Sequence, residues 1–494
     1  MAEISFFSNA FFLFILCCCS CFSEISINEY DQRSFPRIDL DRTATEFRNS
    51  NTFVALLSNG QLFACSYGKV IDTPKIPQGK KVKEIFSSDA AFTILLDDGK
   101  ILCFGDINLG GTTPIIPPER KVVSVFSNKR GFSAILDNGT AIAWGTKLAI
   151  PDKLKIAEDN GKKVLSITPA PYAFAAVLED PVTFRQTIIS WGDHYTERYY
   201  FRPKPENHQF DETVDVPLDT KVTSIAANDA AFTALYENGE IYSWGDQKFG
   251  NIASAFFQKK VLSLTSAQWA TIATLEDGTI QLFGDRKHED IMPSLPKGTT
   301  ISSIFCNGDD FIAILNTGNI VSWGICPPLR EEINPPAGTH IQSLIMNKDA
   351  FLGLLDNGNI ICGGDSNIGG NPPPRSYKKV VSLSATDFSF TELYEDGLLR
   401  TWGTWGFKSG KDIEAKTPKN FPYGRHVESI CSSPDSYIAL LDDGSLFVWG
   451  INIPDGRIVF SSKTNRFFNW LFLDSKTIRA LWIASPFEKN ILKE

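Results

Sequence analysis

The sequence predicts an all-β repeat protein. Three observations carry that prediction. A unit of about 40 residues recurs eleven times along the 494-residue chain. Most units hold an Asp-Gly or Asn-Gly pair between two apolar runs, the strongest short-range signal for a β-hairpin. Aromatic and small residues also recur at fixed distances from that glycine.

The central glycine anchors each copy. It is Gly60, Gly99, Gly139, Gly239, Gly278, Gly318, Gly358, Gly397 or Gly444, with a dominant step of 39–40 residues. Pro181 and Ser475 fill the slot in two degenerate copies. Seventeen residues earlier stands a β-branched residue, such as Val82, Val122, Ile301 and, in the last copy, Ile458. Only Thr43, in the first copy, is polar there. Seven before the anchor is an aromatic, as in Phe92, Phe132, Phe232 and Tyr437, with Thr271 the exception. Five before is a small residue, as in Ala134, Ala234 and Gly353. Five and six after come Trp-Gly pairs such as Trp144-Gly145 and Trp449-Gly450, or the conservative Phe104-Gly105 and Phe283-Gly284.

Each slot has a physical reading. Asp-Gly and Asn-Gly favour a type I′ turn, which needs positive φ at both central residues. A strand such as Phe92-Thr93-Ile94-Leu95-Leu96 does not alternate polar with apolar, so both its faces are covered. The small slot marks close approach of neighbouring sheets, and the aromatic and Trp slots supply the large buried areas between them. A 40-residue unit is too small to hold a core alone and must stack on its neighbours. After Trp-Gly, Asp106-Ile107-Asn108-Leu109-Gly110-Gly111 and Asp365-Ser366-Asn367-Ile368-Gly369-Gly370 are one recurring turn. Its Asp is read as a cap on its own backbone, because a calcium site would need ligands from other loops.

The pattern A-L-x-x-D-G-x-I-x-x-W-G-x-x-x-x-G resembles the repeat of the regulator-of-chromosome-condensation family, from about Thr43 to Trp482. The resemblance implies a β-propeller of four-stranded blades, typically seven. Two departures stand out. The family's Gly-x-x-His before the central strand is replaced by Ser88-Asp89-Ala90-Ala91 and Asn228-Asp229-Ala230-Ala231. The copy number also exceeds the usual four to eight blades. The expectation is one ring with extra blades, or two rings.

The chain outside the repeats is short. Phe11 to Cys19 is an unbroken apolar run, long enough for a signal peptide and too short to span a bilayer. Glu3 is the only charge before it. Residues 1–23 are therefore read as a signal peptide or membrane anchor. Residues 40–485 are the repeat array, with any division falling within 182–220, and 486–494 are a C-terminal tail. Of ten cysteines, four lie in the leader. The others are scattered, with Cys103 and Cys362, and Cys306 and Cys431, read as sharing repeat positions. No disulfide framework and no metal spacing follow.

Function is less legible. With 57 acidic against 48 basic residues and a net charge of −9, a nucleic-acid partner is not expected. No phosphate loop, H-E-x-x-H or G-x-S-x-G occurs. His340 and His426 occupy the slot before the β-branched residue, which is usually Lys, and are read as structural. His194 and His208 lie in an insertion rich in aromatics (Tyr195, Tyr199, Tyr200, Phe201, Phe210), read as a loop packed back on the array. No catalytic, cofactor-binding or metal-binding residue is assigned, and an enzyme is not expected. The expected function is a secreted or membrane-tethered binding module, a monomer that docks a protein on one propeller face, touching membrane only through an uncleaved leader. The resemblance also implies an alternative, guanine-nucleotide exchange on a small GTPase. Copy nine carries Glu392 in the small slot. A carboxylate there must be paired, protonated or at an opening. Read as an irregularity of that copy, it implies that Glu392→Ala leaves stability level or raised.

Overall fold

The hairpins form where the sequence places them, but not as type I′ turns. In copy two, Leu96 N donates to Lys100 O at 2.8 Å and Gly99 N donates to Leu96 O at 3.0 Å. Gly99 has φ +81, whereas Lys147 and Phe184 are the only described non-glycine residues with positive φ. The loop is therefore a type I turn closed by a left-handed glycine bulge, which spares Asp98 the strain of a second left-handed residue. Gly99 has a second constraint. A Cβ there would lie 2.7 Å from Lys121 Cβ, because the next copy crosses behind the turn and Val122 N donates to Gly99 O at 2.8 Å.

The computed structural model describes residues 52–460, apart from 57–59, 67–68, 194–208, 211, 247–258, 269, 285–294, 296–297, 308–309, 325–331, 373–377 and 409–410. The leader, the anchor Ser475 of the eleventh copy and the tail lie outside the described residues. The described chain forms ten antiparallel sheets, one per copy. In sheet two, Val82–Ser87 pairs with Ala91–Leu96, which pairs with Ile101–Gly105. Ile458, read as opening the eleventh copy, pairs instead with Phe447, on the outermost strand of sheet ten.

The ten sheets make one ring. Apolar clusters fill the junctions between consecutive sheets, and each aromatic slot faces the preceding sheet. Phe132 and Trp144 of sheet three meet Phe86 and Leu95 of sheet two. Phe232 and Trp244 of sheet five meet Ala175 and Val177 of sheet four. A further cluster joins the ends of the chain: Phe53, Ala55 and Cys65 of sheet one lie against Cys431, Ile438 and Val448 of sheet ten. First strands of successive sheets touch one another, so they surround the axis. Phe132 and Trp144 are directly paired across their hairpin and stack at 5.4 Å. Ala134 and Ala234, in the small slot, are fully buried, as close sheet packing requires.

Three features depart from expectation. Among the described residues, six sheets have three strands where the resemblance implies four. Linkers satisfy the outer edge instead: Cys103 N donates to Thr113 Oγ1 at 3.0 Å, and Ala141 N to Glu158 Oε1 at 2.7 Å. Glu158 lies on a helix, Asp152–Asp159, whose Leu154 is buried against sheets three and four. Second, first strands carry a β-bulge one residue after the β-branched slot, as between Val82 and Glu84 or Val380 and Ser382. The bulged residue turns out of the ladder, leaving Val123, Leu165, Leu262 and Val381 about half exposed on the inner strands. Third, Cys306 pairs opposite Phe311 and Cys431 opposite Ile438, so these cysteines stand one place apart in the repeat.

Copies nine and ten place hydroxyls inside the wall. Tyr437 is stacked on Trp449 at 5.1 Å, and its hydroxyl lies 3.0 Å from Ser389 Oγ of the preceding sheet. Burial pushes the Tyr437 and Tyr236 phenols up to about 12 from the usual 10.0, and raises Tyr394 as well. A phenol whose folded value is raised holds its proton more tightly when folded. Its contribution is complete below pH 10 and is lost as pH rises through 12. Tyr437 alone contributes on the order of 2–3 kcal/mol to that loss. Urea unfolding at stepped alkaline pH should show stability falling from about pH 10, with a shallower fall in Tyr437→Phe. An unchanged slope in that variant would refute the assignment.

Candidate binding faces

Antiparallel pairing gives the ring two faces. One carries the anchor hairpins, and the other carries the turns between first and second strands. On the hairpin face an ion pair recurs within copies: Lys80–Asp98 at 2.9 Å, Arg120–Asp137 at 3.9 Å, Arg425–Asp443 at 3.0 Å, and also Lys259–Asp277 and Lys378–Asp396. The Lys80 ammonium, hydrogen-bonded to Asp98, holds that carboxyl below its ordinary range, and Lys378 does the same for Asp396. Exposed pairs of this kind are screened by solvent and add little to stability, so the belt sets surface charge more than stability. His340 O accepts from Asp356 N at 3.0 Å, and His426 O accepts from Asp442 N at 2.9 Å. These are backbone contacts; Lys81 O accepts from Asp97 N in the same way, at 2.9 Å, in copy two.

Copy four breaks the belt. Proline cannot adopt the left-handed conformation of the anchor. With Pro181 in the slot, the turn lengthens to Asp180–Arg185 and the left-handed position moves to Phe184, at φ +57. Asp180 Oδ1 accepts from Val182 N at 2.8 Å and Thr183 N at 3.1 Å. Phe184 N donates to Asp180 O, and Asp180 N to Arg185 O. The two loop amides hold the Asp180 carboxyl below its ordinary range. Lys162, which would pair with an acid in the belt, donates to Thr187 Oγ1 at 2.6 Å. At the tip Val182 is 82% exposed and Phe184 62%, and Leu218 of the adjoining turn is 74% exposed. An aromatic held in the left-handed region costs about 1–3 kcal/mol and persists only where its surroundings impose it.

On the other face the turns are hooped together. Lys129 N donates to Pro171 O at 3.1 Å, Asp229 N to Gln268 O at 3.1 Å, and Asp387 N to Pro434 O at 2.8 Å. The residues that replace the family's Gly-x-x-His tie these turns to the linkers. Ser88 Oγ donates to Leu109 O at 2.8 Å and Asn347 Nδ2 to Ile368 O at 2.7 Å. Asp106 and Asp365 each accept from the amide two residues on, at 2.8 Å, capping their turns as the sequence suggests. Charge clusters at one point. The buried Asp193 carboxylate accepts from Arg130 Nη1 at 3.0 Å and Lys147 Nζ at 3.1 Å, and Arg130 stacks 4.8 Å from the buried Tyr172 ring. Lys147 is left-handed, at φ +60.

No group of three or more His, Cys, Asp or Glu among the described residues is arranged to hold a metal ion. No helix among them is long and apolar enough to cross a membrane. His194, His208 and the aromatics from Tyr195 to Phe201, in the insertion after Asp193, lie outside the described residues, as does His288 in the linker after copy six; Phe210 of that insertion is buried, its ring 4.9 Å from that of Phe232. Sequence reasoning missed the Asp193 cluster: Asp193 stands at the recurring Asp after Trp-Gly, but Arg130 and Lys147 come from the preceding copy and carry no repeat signature. It also missed the Phe184 tip, which the loss of the anchor glycine at Pro181 signals.

No family model and no curated protein matches the chain. Solved structures do. The CRINKLY WD40 ectodomain of the Arabidopsis thaliana receptor kinase ACR4 is 15% identical, covers 57% of this chain and 95% of its own, and has a TM-score of 0.34. The ectodomain of the Physcomitrella patens receptor kinase CR4 is 17% identical, with coverage of 65% and 74% and a TM-score of 0.32. Prp20p from Saccharomyces cerevisiae is 14% identical, with coverage of 59% and 84% and a TM-score of 0.31. The structure of Kap60 bound to yeast RCC1 (Prp20) is also similar, at 14% identity, coverage of 65% and 80% and a TM-score of 0.31. By its own ring of antiparallel sheets, the chain is an all-β repeat propeller.

Proposed function

We propose that the chain is a non-catalytic, monomeric interaction module, secreted or tethered by its leader, that docks a protein on one face of the propeller. One observation carries the reading: a ring tied at both rims by backbone hydrogen bonds holds tips that differ from copy to copy. Rigid strands with variable loops are the arrangement on which binding surfaces are built. The proposal treats residues 40–485 as the array that presents these tips. Two measurements test it. Mass spectrometry of the chain from producing cells should find a new N-terminus near Ser20–Ser23 in the medium; an intact, soluble cytosolic chain overturns secretion and favours nucleotide exchange. The folded chain, immobilised, should retain a protein that the heat-unfolded chain does not; no retention overturns docking.

A further inference from the structure

We infer that Asn138, at the tip of the copy-three hairpin, is an N-glycosylation site that carries an oligosaccharide on its side-chain nitrogen. This rests on the secretion reading above, since the sugar is added to chains that enter the secretory route. Asn138-Gly139-Thr140 is the one Asn-x-Ser/Thr acceptor sequence in the 494 residues. The acceptor needs Asn, then a residue other than proline, then a hydroxyl, at a surface that a bulky group can occupy. Other anchor hairpins miss one part of it. Asn238-Gly239-Glu240 and Asn357-Gly358-Asn359 lack the hydroxyl, and Asp277-Gly278-Thr279 lacks the amide.

The turn presents the amide. Asn138 Oδ1 accepts from Thr140 N at 3.1 Å and from Thr140 Oγ1 at 2.8 Å. Both donors stand on the oxygen side, so Nδ2 is turned away from them. Nδ2 has no partner among the described residues and is not sealed from water. The amide of Asn238 is instead occupied: its Nδ2 donates to Glu240 Oε2 at 2.9 Å. Asp277 adopts the same turn, accepting from Thr279 N at 3.1 Å and Thr279 Oγ1 at 2.6 Å, but Lys259 pairs with its carboxylate. In copy three the belt cation Arg120 goes to Asp137, one residue earlier, and leaves Asn138 to solvent. The back of the turn packs on copy four, where a Cβ on Gly139 would lie 2.7 Å from Lys163 Cδ, while Asn138 keeps its contact with water. The hydrogen bonds of the tip span two residues, so the nascent segment can form them before the ring is built. In the transfer, Nδ2 attacks the anomeric carbon of an oligosaccharide carried on a lipid diphosphate. The C–N bond forms, the bond from that carbon to the diphosphate oxygen breaks, the lipid diphosphate departs, and Nδ2 gives up one proton to solvent.

The test produces the full chain in eukaryotic cells beside Asn138→Gln, Thr140→Ala and Thr140→Ser. Medium and cell fractions are both read, so a variant that folds poorly and stays inside is still scored. Each chain is run on a gel before and after a glycosidase that cleaves Asn-linked sugars, in heavy-oxygen water. Wild type and Thr140→Ser should lose one step of mass on treatment, whereas Asn138→Gln and Thr140→Ala should already run at the lower mass. The glycosidase leaves a carboxylate labelled with heavy oxygen, and peptide mass spectrometry should place it at position 138. A wild-type chain in the medium, or held on the outer cell surface, with a bare Asn138 amide overturns the site and leaves secretion or tethering intact. A mass step that survives Asn138→Gln also overturns the site. An intact, soluble cytosolic chain overturns secretion and the site together.

Discussion

Glu392→Ala should lower stability by about 3–5 kcal/mol, although it restores the residue found in most copies. The carboxylate is buried at the wall between sheets eight and nine. It accepts from Arg400 Nη2 at 2.7 Å and Nε at 3.0 Å, and from the Tyr394 hydroxyl at 2.6 Å. Arg400 is itself only 18% exposed and packs 5.3 Å from the Trp402 ring. Removing Glu392 strands a guanidinium that cannot lose its charge in a site that water barely reaches. The reading of Glu392 as a dispensable irregularity is thereby corrected. Glu392→Ala/Arg400→Ile should recover most of the loss, since a small residue beside an aliphatic one is what copy eight carries at Gly353 and Ile361. Urea unfolding of the two variants decides. A single variant within about 1 kcal/mol of wild type, or a double variant as unstable as the single, would sink the argument.

What the sequence made legible follows from what repeats. The β-branched, aromatic, small and Trp-Gly slots locate strands and turns because each is a packing requirement met again in every copy. Phe232 and Trp244 are buried against sheet four, as their slots predict. The turn type was not legible: Asp-Gly suits both a type I′ turn and a type I turn with a glycine bulge, and crowding by Lys121 at Gly99 comes from the next copy. The bulge was hidden for a different reason. Its residues run Lys83, Val123, Leu165, Thr223 and Leu262, and a position facing away from the packed wall carries no type to recognise. Glu392 stood out as an exception, but its partners Tyr394 and Arg400 are unremarkable residues until the register places them around it. The binding faces were least legible, because tips such as Val182 and Phe184 lie where the repeat stops constraining the chain.

Ring closure gives the second large effect. Ile438 and Ile312 occupy the same slot, six residues before their anchors, and are 1% and 0% exposed. Ile312 faces the interior junction between sheets seven and eight. Ile438 faces Phe53, Ala55, Phe63 and Cys65 of sheet one, at the opposite end of the chain. In an open array the last sheet frays, and its outward face contributes little. In a closed ring the two junctions are equivalent. Ile438→Ala and Ile312→Ala should therefore each cost about 2–5 kcal/mol, because each leaves a cavity in a wall packed on both sides. The eleventh copy offers another cover for Ile438, and truncation separates the two. A chain ending at Phe460 retains every residue of the closing cluster, so it should still melt cooperatively, and Ile438→Ala should cost the same within it. A penalty that vanishes in the truncated chain would assign the cover to residues 461–494. A penalty under about 1 kcal/mol in the full chain, beside a normal one at Ile312, would show that the ring is open.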